Sequence, residues 1–185
     1  MAEYYLISQL PSLDSVSDSA PLPITEERFL ELCSRFLDKK TMRELKQITL
    51  VPKSDYEEIG SNLIDSFCKS ERDLRLALVK ARAEKMKKPC DVGSRNLPIV
   101  QVKAANAAVE IENPMEAEKF LARHRLEVLE DLRPIDGFSR DFIFYYAIKL
   151  KLILRIRQFD TESGQVAYKN IYDTILNSDR AEVTQ

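Results

Sequence analysis

The side chains that most often perform chemistry are sparse and scattered in this sequence. The one histidine, His124, lies between Arg123 and Arg125 on the inner side of an amphipathic helical pattern. As a general base or a metal ligand it would need a carboxylate or thiol at a matching spacing, and a lone histidine in that position reads as a packed core residue. The three cysteines, Cys33, Cys68 and Cys90, stand more than twenty residues apart with no CxxC pair. That spacing does not make a zinc site, and their odd number fits a reducing compartment better than a disulfide framework. Two acidic pairs, Glu57 with Glu58 and Glu116 with Glu118, each fall in the first turn of a predicted helix, where the helix dipole favours a carboxylate without any catalytic role. No glycine-rich phosphate loop of the GxxxxGK or GxGxxG kind is present. The sequence therefore predicts a protein that is not an enzyme, with no catalytic residue, no cofactor and no metal.

Charge is more informative. The chain is almost balanced at −2, but segment 70–88 holds seven basic residues against three acidic, and segment 140–159 holds five against one. Basic residues late in a helix complement the macrodipole, and that alone accounts for much of the pattern. The functional reading is that the two basic helix ends lie together and meet an acidic or phosphate-bearing surface. Lys85, Lys87, Lys88, Arg155 and Arg157 are the candidate contacts. Basic residues at 80, 82, 85, 87 and 88 spread around their helix without interleaved aromatics, so a protein partner is expected and nucleic acid is not.

The elements that must position these residues are helices. Only 4 glycines occur in 185 residues, the 8 prolines gather at boundaries, and 44% of the chain is hydrophobic at helical spacing. This is enough for one globular domain or two small subdomains. We expect an all-α helical bundle of two related helical subdomains: a segment 1–24, a first subdomain 25–88, a connector 89–98, a second subdomain 99–178 and a frayed tail 179–185. Thr25 caps the first long helix, with Ile24 and Phe29 placed as a hydrophobic staple. A short helix follows over Thr41 to Thr49. Ser54 with Glu57 forms a capping-box pattern, and Ser70 caps a further helix to Lys88. Residues 99–111 suit a helix, Asn113 and Pro114 start the next one, and Ser139 opens a long apolar helix to Phe159. Val166 to Asn177 forms the last. Lys149, Lys151, Arg155 and Arg157 interrupt "DFIFYYAIKLKLILRIRQF", which makes it a core helix rather than a membrane span. With no basic stretch ahead of its apolar start, the chain is expected to be cytoplasmic.

The opening "YYLISQLPSLD" puts large apolar groups on every side. It fits neither strict alternation nor one helical stripe, and Pro11 ends it. A short anchored segment, strand-like or a single helical turn, is expected to dock on the core, with Tyr4 and Tyr5 facing it or a partner.

"LVKAR" at 78–82 aligns with "ILRIR" at 153–157, which suggests two related units. The segments "ERDLRLALVKARAEKMKKP" and "FYYAIKLKLILRIRQFDTESG" resemble the recurring helix of the C-type subunit, also called the d-type subunit, of V/A-type rotary ATPases. There a leucine-rich helix ends in basic residues before a turn. "YYLISQLPSLD" followed by "PLPITEERFLELC" resembles the N-terminal signature of a small uncharacterised bacterial family encoded beside V/A-type ATPase subunits, a divergent relative of that C-type subunit. The resemblance implies a shortened, non-catalytic component of the C type that couples the rotor ring to the central stalk in proton or sodium transport. It would lie at the cytoplasmic face of the membrane through partner subunits only. The alternative is a stand-alone helical interaction or regulatory protein that binds another protein or nucleic acid through the same basic ends.

Overall fold

The structure is a computed structural model, and the residues it describes are 2–14, 21–52, 60–90, 96–158 and 168–172. Among them are seven helices, with no strand: α1 (Ala2–Gln9), α2 (Glu26–Phe36), α3 (Lys39–Gln47), α4 (Asn62–Lys85), α5 (Ile99–Glu110), α6 (Pro114–Asp131) and α7 (Arg140–Arg157). A further helical turn occupies 168–172. The all-α class is as the sequence predicts, and no helix among the described residues is long and apolar enough to cross a membrane.

Three helix starts form where local chemistry places them. Thr25 Oγ1 accepts the Arg28 N–H at 3.2 Å, and Ile24 and Phe29 are both buried across that cap. Asn113 Oδ1 accepts the Met115 N–H at 3.0 Å ahead of Pro114. Ser139 Oγ accepts the Phe142 N–H at 3.3 Å.

Other expectations need correction. The short helix begins at Lys39, not Thr41, because the Asp38 carboxylate caps it by accepting the Lys40 and Thr41 N–H groups at 3.1 and 3.3 Å. Ser70 starts no helix. It lies inside α4, which Ser61 caps and which runs for 24 residues. No glycine or proline interrupts 62–85, and the buried stripe Leu63, Phe67, Glu71, Leu74, Leu78 passes through without a break. The Ser70 hydroxyl instead accepts the Gln101 Nε2–H at 2.8 Å. The Ser54 and Glu57 pattern, most of the helix expected over 166–177, and the tail lie outside the described residues.

The N-terminal segment is a two-turn helix rather than a strand or a single turn. Leu6 is fully buried, Ile7 and Leu10 pack against the core beside it, and Tyr4 and Tyr5 are exposed. Apolar groups on every side thus resolve into one docked face and one open face. The segment is tied down after the helix as well, since Tyr146 donates its hydroxyl to the Pro11 carbonyl at 2.9 Å.

The core falls into two clusters. One joins α1, α2, α3, the first half of α4, the end of α6 and α7; the other joins the second half of α4, α5 and the start of α6. Residues 143–150 of α7 are all buried, as a helix apolar on every side must be. Helices α6 and α7 run antiparallel, with Glu130 opposite Lys149 and Glu118 opposite Arg155. Helix α4 starts beside α7, where the Ser61 hydroxyl donates to Asp141 Oδ1 at 2.9 Å, and it runs antiparallel to α6, with Glu71 against Arg125. The C-terminal ends of α4 and α7 therefore share one end of the molecule, while α1 and the 132–139 connection occupy the other.

If α1 is docked through Leu6, Leu6→Ala costs about 2–4 kcal/mol in urea denaturation, whereas Tyr5→Ala stays within about 0.5 kcal/mol. Equal effects of the two substitutions would show that α1 does not pack this way.

Candidate interaction surfaces

The basic end is built by helix termination. α4 closes through Lys87 N–H to Glu84 C=O at 3.1 Å and Lys88 N–H to Ala83 C=O at 3.0 Å. This double closure usually places glycine at the position held by Lys87, whose φ is +53°. A lysine there carries a backbone cost of about 1–2 kcal/mol. Lys85 donates to the Val109 carbonyl and so satisfies the otherwise open end of α5. Arg82 and Lys85 line a hollow of about 320 Å³ floored by Leu78, Ile111 and Leu121. Glu118 lines the same hollow and receives Arg155 at 3.4 Å, so the two basic ends converge around one carboxylate.

The charge excess of 140–159 does not form a continuous basic surface. Lys149 is buried, Lys151 pairs with Glu26, and Arg140 reaches Glu44 at 3.4 Å. Arg157 is half-buried on the last turn of α7. What remains open is mainly the end of α4, where Lys87 and Lys88 are exposed and enter no ion pair among the described residues. Tyr4 and Tyr5 lie at the opposite end, a length of α7 away, or about 25 Å at 1.5 Å per residue. There the Tyr4 ring meets Phe138 with centroids 4.7 Å apart and Tyr5 edge-on at 5.9 Å.

Inside, three polar groupings join the helices. Lys149 Nζ donates to Asp14 Oδ1 at 2.5 Å, Glu130 Oε1 at 2.6 Å and Tyr145 Oη at 3.2 Å. Arg125 grips Glu71 through Nε at 2.8 Å and Nη2 at 3.1 Å, and Arg75 adds a third donor at 2.8 Å. His124 Nε2 meets Gln101 Oε1 at 2.9 Å, and Gln101 passes the chain on to Ser70. His124 is thus a hydrogen-bonded core residue as expected, and its burial holds its pKa below the usual histidine range. Cys33 is buried, its thiol pushed up to about 12 by desolvation, Cys68 is buried and Cys90 exposed. Among the described residues no group of three or more His, Cys, Asp or Glu side chains is placed to hold a metal ion. No family model, no curated protein and no solved structure matches this chain.

The Lys149 grouping has a pH signature. The hydrogen bond from Lys149 holds Asp14 below the ordinary carboxylate range. Burial pushes Glu130 the other way, but the hydrogen bonds from Lys149 and Tyr145 leave it lowered too. Burial likewise opposes the charge on Lys149, and its three acceptors outweigh it and raise the pKa. A carboxylate whose folded pKa is depressed stabilises the fold above its unfolded value of about 4 and loses that contribution as the pH falls through the folded value. Raised Lys149 contributes fully below about pH 10 and loses its share only in strong alkali. Lys149→Met is therefore expected to cost about 1–2 kcal/mol at pH 7, and to shrink the stability lost between about pH 4 and pH 2. Urea denaturation at all three pH values checks this; an unchanged acid loss in the variant would show that Lys149 does not hold these carboxylates.

Proposed function

We propose that this chain is a non-catalytic component of a V/A-type rotary ATPase, akin to its C-type subunit, placed between the rotor ring and the central stalk and reaching the membrane only through its partner subunits. The observation that carries the reading is that α4 and α7 run side by side and end against the same stretch of α6. These helices hold the two segments whose sequences resemble the recurring helix of the C-type subunit, and Glu118 of α6 lines one hollow with Arg82 and Lys85 of α4 and receives Arg155 of α7. The contact surface in this reading is the end of α4, with Lys85, Lys87 and Lys88, extended by Arg155 and Arg157 on α7. The partner surface is acidic, because the open lysines are what this end offers. The N-terminal signature that resembles the ATPase-linked family supports the same assignment. A second reading rests on those same exposed lysines: a stand-alone helical regulator that binds another protein or nucleic acid. Its mark would be DNA or RNA affinity that falls steeply with salt.

The tagged chain, gently extracted from its own cells, is expected to bring down ATPase subunits identifiable by mass spectrometry. Lys87→Glu with Lys88→Glu is expected to reduce that recovery about tenfold or more, as reversal of two interfacial charges should. Lys87→Gly gives a separate readout: it relieves the left-handed lysine and raises stability by about 0.5–1 kcal/mol, while weakening recovery. Recovery of no ATPase subunit by the parent chain would overturn the proposal.

A further inference from the structure

The aromatic end carries a feature that the basic end does not explain. Ile135 is fully exposed at 107% of its reference area, and Tyr4, Tyr5 and Phe138 are each about half exposed. Scattered exposed apolar residues are ordinary, but three touching rings drawn from two separate parts of the chain, with Ile135 in the same connection as one of them, mark an interaction site. These rings are held in place. Leu6 and the Tyr146 bond to Pro11 fix α1, and the 132–139 connection is stiffened by Asp136, which accepts the Phe138 N–H at 2.9 Å through its carboxylate and the Ser139 hydroxyl through its carbonyl. A preordered aromatic group loses little entropy on binding, and Tyr and Phe are enriched at protein interfaces.

The charges around the group select its partner. Glu3, Asp131 and Asp136 enter no ion pair among the described residues, whereas the nearby Arg133 and Arg140 face Glu130 at 3.9 Å and Glu44 at 3.4 Å. The rim is therefore acidic. An acidic rim repels anionic headgroups, and a symmetric pairing of two copies would set these carboxylates against themselves.

We propose that this end is a second docking surface, which takes a helical segment of a partner protein whose apolar face is flanked by lysine or arginine. Ile135 and Phe138 enter the apolar face, and Glu3, Asp131 and Asp136 meet the basic flanks. This surface does not depend on the ATPase assignment and stands or falls separately from it.

The test uses the full chain and two labelled helical peptides of about 18 residues, long enough to fold on contact, with the same leucine face and either lysine or glutamate flanks. Fluorescence anisotropy is expected to show the lysine-flanked peptide binding at least about tenfold more tightly than the glutamate-flanked one. Ile135→Ser and Phe138→Ser are expected to weaken the lysine-flanked peptide by about tenfold or more, as loss of a central anchor does. Because Ile135 is wholly exposed, its substitution leaves the fold intact and keeps the test clean. Equal binding of both peptides, or binding indifferent to both substitutions, would overturn the proposal. So would self-association or binding to phosphatidylcholine vesicles that Ile135→Ser abolishes, since the occupant would then be a second copy or a lipid surface.

Discussion

One ammonium group governs the larger core. Lys149 sits within the continuous buried run of α7, residues 143–150, with only 7% of its surface exposed. Withdrawing such a charge from water costs several kcal/mol unless its donors are met. All three are met, and the acceptors come from three parts of the chain: Asp14 after α1, Glu130 at the end of α6, and Tyr145 one turn back on α7. Satisfying one ion therefore fixes the N-terminal segment against α7 and sets the register of α6 on α7. Burial along α7 provides most of the driving force, but a greasy helix can slide or rotate among greasy neighbours, and a buried lysine cannot.

The smaller core is aligned by the same means. Its floor is rich in alanine, with Ala77, Ala81, Ala104, Ala105 and Ala108 buried, which lets α4 and α5 approach closely but defines their register weakly. Polar bridges supply the definition. Glu71 ties α4 to α6 through Arg125, and the run from Ser70 through Gln101 to His124 ties α4 to α5 and α5 to α6. Nη1 of Arg125 is buried with no hydrogen-bond partner among the described residues, so this pair carries an uncompensated desolvation term. Its contribution lies in fixing which residues meet.

Most helices were legible because caps and stripes are local. Thr25, Asn113 and Ser139 announce their helices through chemistry that needs no distant partner, and the all-α class follows from the scarcity of glycine and the helical spacing. Ser70 misled because a serine before an acidic first turn, Glu71 and Asp73, looks like a cap when its real partner, Gln101, lies thirty-one residues on. Lys149 reads from the sequence only as one of the basic residues of 140–159 for the same reason: its counter-ion Asp14 is 135 residues away. One signal was available. Glu71 falls four residues after Phe67 and three before Leu74, and Arg125 four after Leu121 and four before Leu129, so each occupies an inner position of its helix. Opposite charges on two apolar stripes predict a buried pair, although not its geometry.

The charges that folding does not require are the most informative about function. Arg82 and Lys85 lie in the last turn of α4, where they suit the helix dipole, and Lys85 also closes α5. Lys87 and Lys88 lie beyond that turn, and Lys87 occupies a backbone position where glycine would be less strained. At the other end of the molecule Asp131 closes α6 with the sign the dipole disfavours, by about 0.3–1 kcal/mol. Its neighbour Glu130 is accounted for by Lys149, whereas no ion pair among the described residues accounts for Asp131. Stability alone would remove both departures, and they are segregated by sign, positive at the end of α4 and negative beside the exposed aromatics. A chain whose unneeded charges separate in this way presents two chemically distinct ends, and each end can be probed by partners of opposite charge independently of the other.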